Sequence, residues 1–82
     1  MSTSIRDIVL RARAAQNLSQ GEMADAMGVS RVSVSNWETG KAEPSLASLQ
    51  SWQNHSTPWV AQMAADILNA MFPAREMARI GG

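Results

Sequence analysis

Cysteine is absent from the 82 residues, so the chain has neither a disulfide framework nor a thiolate metal site. Histidine occurs once, as His55, and a single imidazole makes neither a zinc centre nor a catalytic pair. No apolar run approaches the ~20 residues that a membrane span requires, and the N-terminus lacks the long apolar core of a signal peptide. Tyrosine is missing too; three tryptophans and one phenylalanine are the only aromatic side chains, and six methionines supply much of the remaining bulk. Net charge is likewise missing, because seven Lys and Arg offset seven Asp and Glu, and no global basic field exists to drive non-specific binding to a polyanion. No nucleophile–base pair, carboxylate dyad, metal-ligand spacing or glycine-rich phosphate loop can be assembled from the residues present. An enzyme is therefore the weakest class, and no cofactor, metal, membrane or small-molecule ligand is expected. What remains is a soluble, cytoplasmic protein of one domain, near the lower size limit for a self-sufficient core.

Within that domain one stretch, Leu18 to Lys41, carries dense local information. Ser19 and Glu22 are spaced as a capping box, in which each side chain satisfies the other's orphan backbone N–H, so a helix should run from about Gln20 to Met27. Met23, Ala24 and Met27 form its apolar stripe, and Asp25 faces away. Gly28 ends it, since a left-handed residue is cheapest without a Cβ. Ser30 is a second N-cap, for a helix over about Arg31 to Thr39 that buries Val34 and Trp37 and stops at Gly40. Two such short helices separated by about three residues share a core only by crossing steeply, as in a helix-turn-helix.

This segment resembles the helix-turn-helix of the Cro/C1-type (XRE-like) DNA-binding family. The matching positions are Leu18, Gln20, Met23, Ala24, Met27, Gly28, Val29, Ser30, Val34, Trp37, Glu38 and Gly40, followed by Lys41 and Pro44. The likeness extends more loosely from about Ile5 to Trp52. It implies an all-α fold, a compact lambda-repressor-like bundle of about five helices with the motif at the second and third. Ala24, Gly28, Val34 and Trp37 are then the structural core of the motif: Ala24 allows close helix approach, Gly28 makes the turn and Val34 fills the angle. Gly21 departs from the family pattern, which prefers a good helix former there, at a cost of about 1 kcal/mol.

With Val34 and Trp37 inward, the residues turned outward from the third helix are Arg31, Val32, Ser35 and Asn36, with Ser33 on the flank. This is suitable chemistry for a major groove. Arginine donates two bonds to guanine O6 and N7, asparagine pairs with adenine N6 and N7, and valine touches a thymine methyl. Arg31, Val32, Ser35 and Asn36 are accordingly the expected base contacts. Gln20, Ser30, Ser33, Lys41 and Arg13 are the expected phosphate contacts, through helix N-termini, hydroxyls, an amide and two cations. The resemblance gives Gln20 a second task, bracing the recognition helix. It gives Arg13 one as well: a basic residue there pairs with the acidic residue ending that helix, here Glu38, and ties the first helix to the third. An exposed pair of little energetic consequence is the alternative.

Ser4 and Asp7 form another candidate capping box for a first helix from about Ile5 to Gln16, burying Ile5, Ile8, Val9, Ala12 and Ala15; Asn17 terminates it in the left-handed region. Arg6 and Arg11 read equally as a solvated face. Pro44 and Ser45 open a fourth helix with Leu46, Leu49 and Trp52 as core positions. Asn54 to Thr57 is a polar linker with His55 exposed in it. Thr57 and Pro58, as N-cap and N1, start a fifth helix to about Met71. Phe72 precedes Pro73, which breaks that helix. Met77 and Ile80 continue the apolar theme, Arg75, Glu76 and Arg79 suit one more helical turn, and Gly81 and Gly82 suit a disordered end.

The organisation expected is a four-helix DNA-binding unit over 1–54, with 55–82 as a C-terminal helix and tail of the same domain. The apolar surface after Pro58 exceeds what one face needs. Part of it should pack on the first and fourth helices, and Met63, Ile67, Met71 and Phe72 should build a two-fold homodimer interface. The resemblance then implies a sequence-specific regulator of double-stranded DNA, a repressor or autoregulator binding a palindromic operator as a homodimer. With no room seen for a separate sensor domain, the chain looks like a short phage or bacterial regulator. RNA polymerase and a cognate toxin are the protein partners that such settings suggest. The alternative is a protein-interaction module, or an antitoxin-type partner-binding protein, that keeps the fold without the DNA contacts.

Overall fold

The computed structural model describes residues 4–72. Five helices follow one another: α1 (Ile5–Ala15), α2 (Gln20–Met27), α3 (Arg31–Thr39), α4 (Leu46–Trp52) and α5 (Pro58–Met71). The fold is all-α among the described residues, as expected, and α2 and α3 have the expected boundaries. Pro73, Met77 and Ile80, the expected helical turn at Arg75, Glu76 and Arg79, and the glycine end lie outside the described residues.

Local chemistry accounts for the helix ends. Ser19 and Glu22 form both halves of their capping box: the Glu22 N–H donates to Ser19 Oγ at 3.1 Å and the Ser19 N–H to Glu22 Oε1 at 2.8 Å. At Ser4 only one half forms, the Asp7 N–H donating to Ser4 Oγ at 3.2 Å. The aspartate side chain is one methylene shorter than glutamate, which hinders the return bond. The α1 helix closes one residue early, with Gln16 as cap. Asn17 then takes φ 55°, and the N–H groups of Asn17 and Leu18 return to the carbonyls of Ala14 and Arg13. Gly28, at φ 71°, closes α2 in the same manner, with the Val29 N–H on the Ala24 carbonyl at 2.9 Å.

The core draws on every helix: Ile8 and Val9 from α1, Met23, Ala24 and Met27 from α2, Val34 and Trp37 from α3, Leu49 and Trp52 from α4, and Val60, Met63, Ala64 and Ile67 from α5. Trp37 and Trp52 meet edge to face, ring centroids 5.5 Å apart at 69°, the geometry the indole quadrupoles prefer. The packing partners are α2 with α3, α1 with α3, and α5 with both α1 and α4.

Four sequence expectations need correction. Met63 and Ile67 are buried inside the protomer, on the helix that packs on α1 and α4, and leave no surface for a partner chain. Of that proposed set, Met71 is half-buried against the core and only Phe72, 51 % exposed, faces outward. Leu46 is 44 % exposed rather than core, because α4 is only seven residues long and Leu49 and Trp52 carry its burial. Ala15, in the last turn of α1, is exposed. His55 is half-buried, and its Nδ1 accepts the Thr57 N–H at 3.0 Å. That bond holds the linker where Thr57, whose side chain makes no cap bond, enters α5.

Candidate nucleic-acid interface

The candidate interface is held from behind by a carboxylate. Glu38, near the end of α3, has a side chain only 5 % exposed, and three donors converge on it. Arg13 of α1 donates from Nε to Oε2 at 2.6 Å and from Nη2 to Oε1 at 3.0 Å, a two-pronged pair whose planar fork matches the carboxylate. Gln20, first residue of α2, donates from Nε2 to the same Oε1 at 3.0 Å. Burial on its own pushes the Glu38 carboxyl up, but the hydrogen bonds from Arg13 and Gln20, with the Arg13 charge, overcome it and hold the group below its ordinary range. The outcome is three helices joined at one residue.

Arg13 does more than the sequence indicated. Its Nη1 donates to the Leu18 carbonyl at 3.0 Å, while its own carbonyl accepts the Leu18 N–H at 3.1 Å. The loop between α1 and α2 is thus fastened from both sides by the residue that also holds α3. No residue-type signal announces a side chain reaching a backbone carbonyl, so this bond was not readable in advance.

With α3 so held, its outer face is set. Arg31 and Val32 are exposed, Val32 at 66 %. Ser33, Ser35 and Asn36 are half-buried on the flanks of that face. Ser30 caps α3 by accepting the Ser33 N–H at 3.1 Å, and the two hydroxyls lie 3.0 Å apart, so one of them keeps a proton to donate outward. Past the helix, Gly40 at φ 80° turns the chain, and the Asn36 carbonyl takes the N–H groups of Gly40, Lys41 and Ala42. This closed turn presents Lys41 exposed beside the end of α3.

The two short helices therefore pack on each other with Gly28 at the turn, Ala24 and Val34 both buried, while the second keeps its other face open. A helix-turn-helix family profile matches residues 9–54, more than half of the chain. The chain belongs to the Cro/C1-type helix-turn-helix family. Neither a curated protein nor a solved structure matches it.

As a Cro/C1-type protein, it carries a DNA-binding regulator domain. Among the described residues, no helix is long and apolar enough to cross a membrane. The expected interface residues fall into two groups. Arg31, Val32, Ser33, Ser35 and Asn36 lie along one helix, with Ser30 and Lys41 at its two ends. Gln20 and Arg13 stand behind that helix and meet each other through Glu38, which engages one N–H of the Gln20 amide and two of the Arg13 guanidinium. The Arg31 stem runs near the first turn of α2: a Cβ added at Gly21 would lie 3.9 Å from its Cδ, an ordinary contact distance.

Proposed function

We propose that the protein is a sequence-specific transcriptional repressor or autoregulator that binds a palindromic operator as a homodimer, with α3 in the major groove. The observation that carries this reading is the composition of the outward face of α3. A merely solvated face explains a largely exposed valine beside an exposed arginine poorly, whereas in a groove the pair meets a thymine methyl and a guanine edge. Arg31, Val32, Ser35 and Asn36 are the base-reading residues. Ser30, Ser33 and Lys41 take phosphates at the rim, and Gln20 and Arg13 do so with the N–H groups that Glu38 and, for Arg13, the Leu18 carbonyl leave free.

Two copies are brought together through the exposed Phe72 and the uncovered part of Met71, and the half-sites then lie about 10 base pairs, one helical turn, apart on one face of the duplex. Selection of bound duplexes from a random pool at moderate salt tests the proposal. An enriched inverted repeat supports it; no enrichment by the folded protein overturns it. In the latter case the zero net charge would favour a module that uses the same fold to bind a protein, such as a toxin.

A further inference from the structure

Arg6 and Arg11 read alike in the sequence, and the structure separates them. Both are exposed on α1. At about 100° per residue, Arg6 falls about 20° from Arg13 around the helix and two turns before it, whereas Arg11 falls about 140° from Arg6, on the opposite flank. The flank shared by Arg6 and Arg13 is the one turned to the end of α3, where Arg13 holds Glu38. Arg6 lines one side of a cleft whose other side is Trp37, Gly40, Ala42 and Glu43, the last turn of α3 and the loop that leaves it. Its Nη1 lies 4.0 Å from the position of a Cβ built on Gly40, which puts the guanidinium beside the turn that presents Lys41. Among the described residues Arg6 takes part in no ion pair, not even with Glu43 across the cleft.

We propose that Arg6 is a DNA-backbone contact, taking the phosphate next to the one that Lys41 takes. The proposal rests on the reading of α3 as the helix in the major groove, which brings the loop after α3 to the sugar–phosphate rim. Charged phosphates follow one another closely along a strand, so two cations at one turn meet two of them. In a chain with no net charge, placement has to stand in for excess. Glu38 matches the charge of Arg13, so Arg6 and Lys41 are the cations without an ionic partner at this end of α3, with Glu43 opposing them. A guanidinium suits the task, because its planar fork takes two oxygens of one phosphate.

Arg11 supplies the control, an arginine of the same helix on the flank away from the end of α3. Affinities of the parent, Arg6→Gln, Arg6→Lys and Arg11→Gln are measured at several salt concentrations, on the duplex enriched by random-pool selection and on an unrelated one. Arg6→Gln is expected to lower the slope of log affinity against log salt by about 0.9 per protomer on both duplexes, a shortfall that shrinks by about half with each doubling of salt. Base preference stays as in the parent, because a phosphate contact carries no sequence information. Arg6→Lys keeps the parental slope, since the charge remains. Arg11→Gln removes the same charge from the far flank and keeps it too. All three variants melt within about 4 °C of the parent, as substitutions of exposed side chains. A parental slope for Arg6→Gln, or an equal loss for Arg11→Gln, overturns the contact, while an enriched duplex leaves the groove reading standing. A parental slope joined to a lower melting temperature would make Arg6 a cover for Trp37 instead. If the folded parent enriches no duplex, the groove reading and the Arg6 contact fall together.

Discussion

Replacing Glu38 with glutamine preserves the side chain's size but removes its charge, and the three donors around it lose their common acceptor. The carboxylate accepts from Arg13 Nε at 2.6 Å, Arg13 Nη2 at 3.0 Å and Gln20 Nε2 at 3.0 Å. Glutamine keeps one acceptor oxygen and turns an NH2 toward a donor, so at least one charge-assisted bond is lost and another opposed. Such bonds contribute about 1.5–3 kcal/mol each. A fully buried pair broken on one side costs about 3–5 kcal/mol, but the Arg13 side chain is 25 % exposed and can regain water. The expected loss is therefore about 2 kcal/mol, which for a domain of this size lowers the melting temperature by roughly 8–16 °C. Thermal unfolding at pH 7, followed by circular dichroism and by the fluorescence of Trp37 and Trp52, measures it. Adding Arg13→Met to Glu38→Gln should cost less than the two single losses added together, since they share the Glu38 bonds, and what it adds is the loss of the Arg13 Nη1 bond to the Leu18 carbonyl. A melting temperature within about 2 °C of the parent would refute the reasoning and reduce the network to a surface ion pair.

The same carboxylate fixes a pH dependence. Its folded pKa is depressed, so its contribution is fully present above the unfolded value of about 4.3 and is lost as pH falls through the folded value. Glu22, held down by the Ser19 N–H, acts in the same direction, so Glu38→Gln should flatten the acid limb of stability against pH in part and not abolish it. Trp37→Ala removes a buried indole that packs on Trp52 and should cost about 3–5 kcal/mol, seen as loss of the cooperative melt; a stable variant would mean that α3 is rotated otherwise. Lys41→Ala should weaken binding equally on all duplexes and lower the slope of log affinity against log salt by about 1 per protomer, measured by titration at several salt concentrations. Uracil in place of the thymine read by Val32 removes one methyl and should weaken binding about fourfold, with no such effect in Val32→Ala; equal effects in both proteins would show that Val32 reads no methyl.

The helices were largely legible because their ends are written in local chemistry. Ser19 with Glu22, Gly28, Ser30 and Gly40 each meet a demand of the backbone within a few residues, and α2 and α3 begin and end where those residues place them. Orientation was less legible wherever two neighbours competed for a face. The apolar stripe of α5 reads as wide enough for both a core and a partner, yet periodicity carries no depth, and Met63 and Ile67 are buried where α5 packs on α1 and α4. Leu46 illustrates the opposite error, an apolar residue at helical spacing that lies ahead of the turn where α4 meets the core. The Arg13–Glu38 tie was suggested by family resemblance and not by spacing, since the two are 25 residues apart. The Arg13 bond to the Leu18 carbonyl was legible by neither route.

Glu38 also limits what can be moved from this protein into another. A recognition helix grafted onto a foreign scaffold brings its outward side chains with it, but the aim of those side chains belongs to a buried carboxylate that needs an arginine from α1 and an amide from α2. A host without both would receive an unpaired charge beneath the transplanted helix, and would protonate it, hydrate it or tilt the helix to expose it. The smallest unit that can be moved intact is thus not the helix, nor even the two-helix motif, but the three-helix corner with positions 13, 20 and 38 moved as a set.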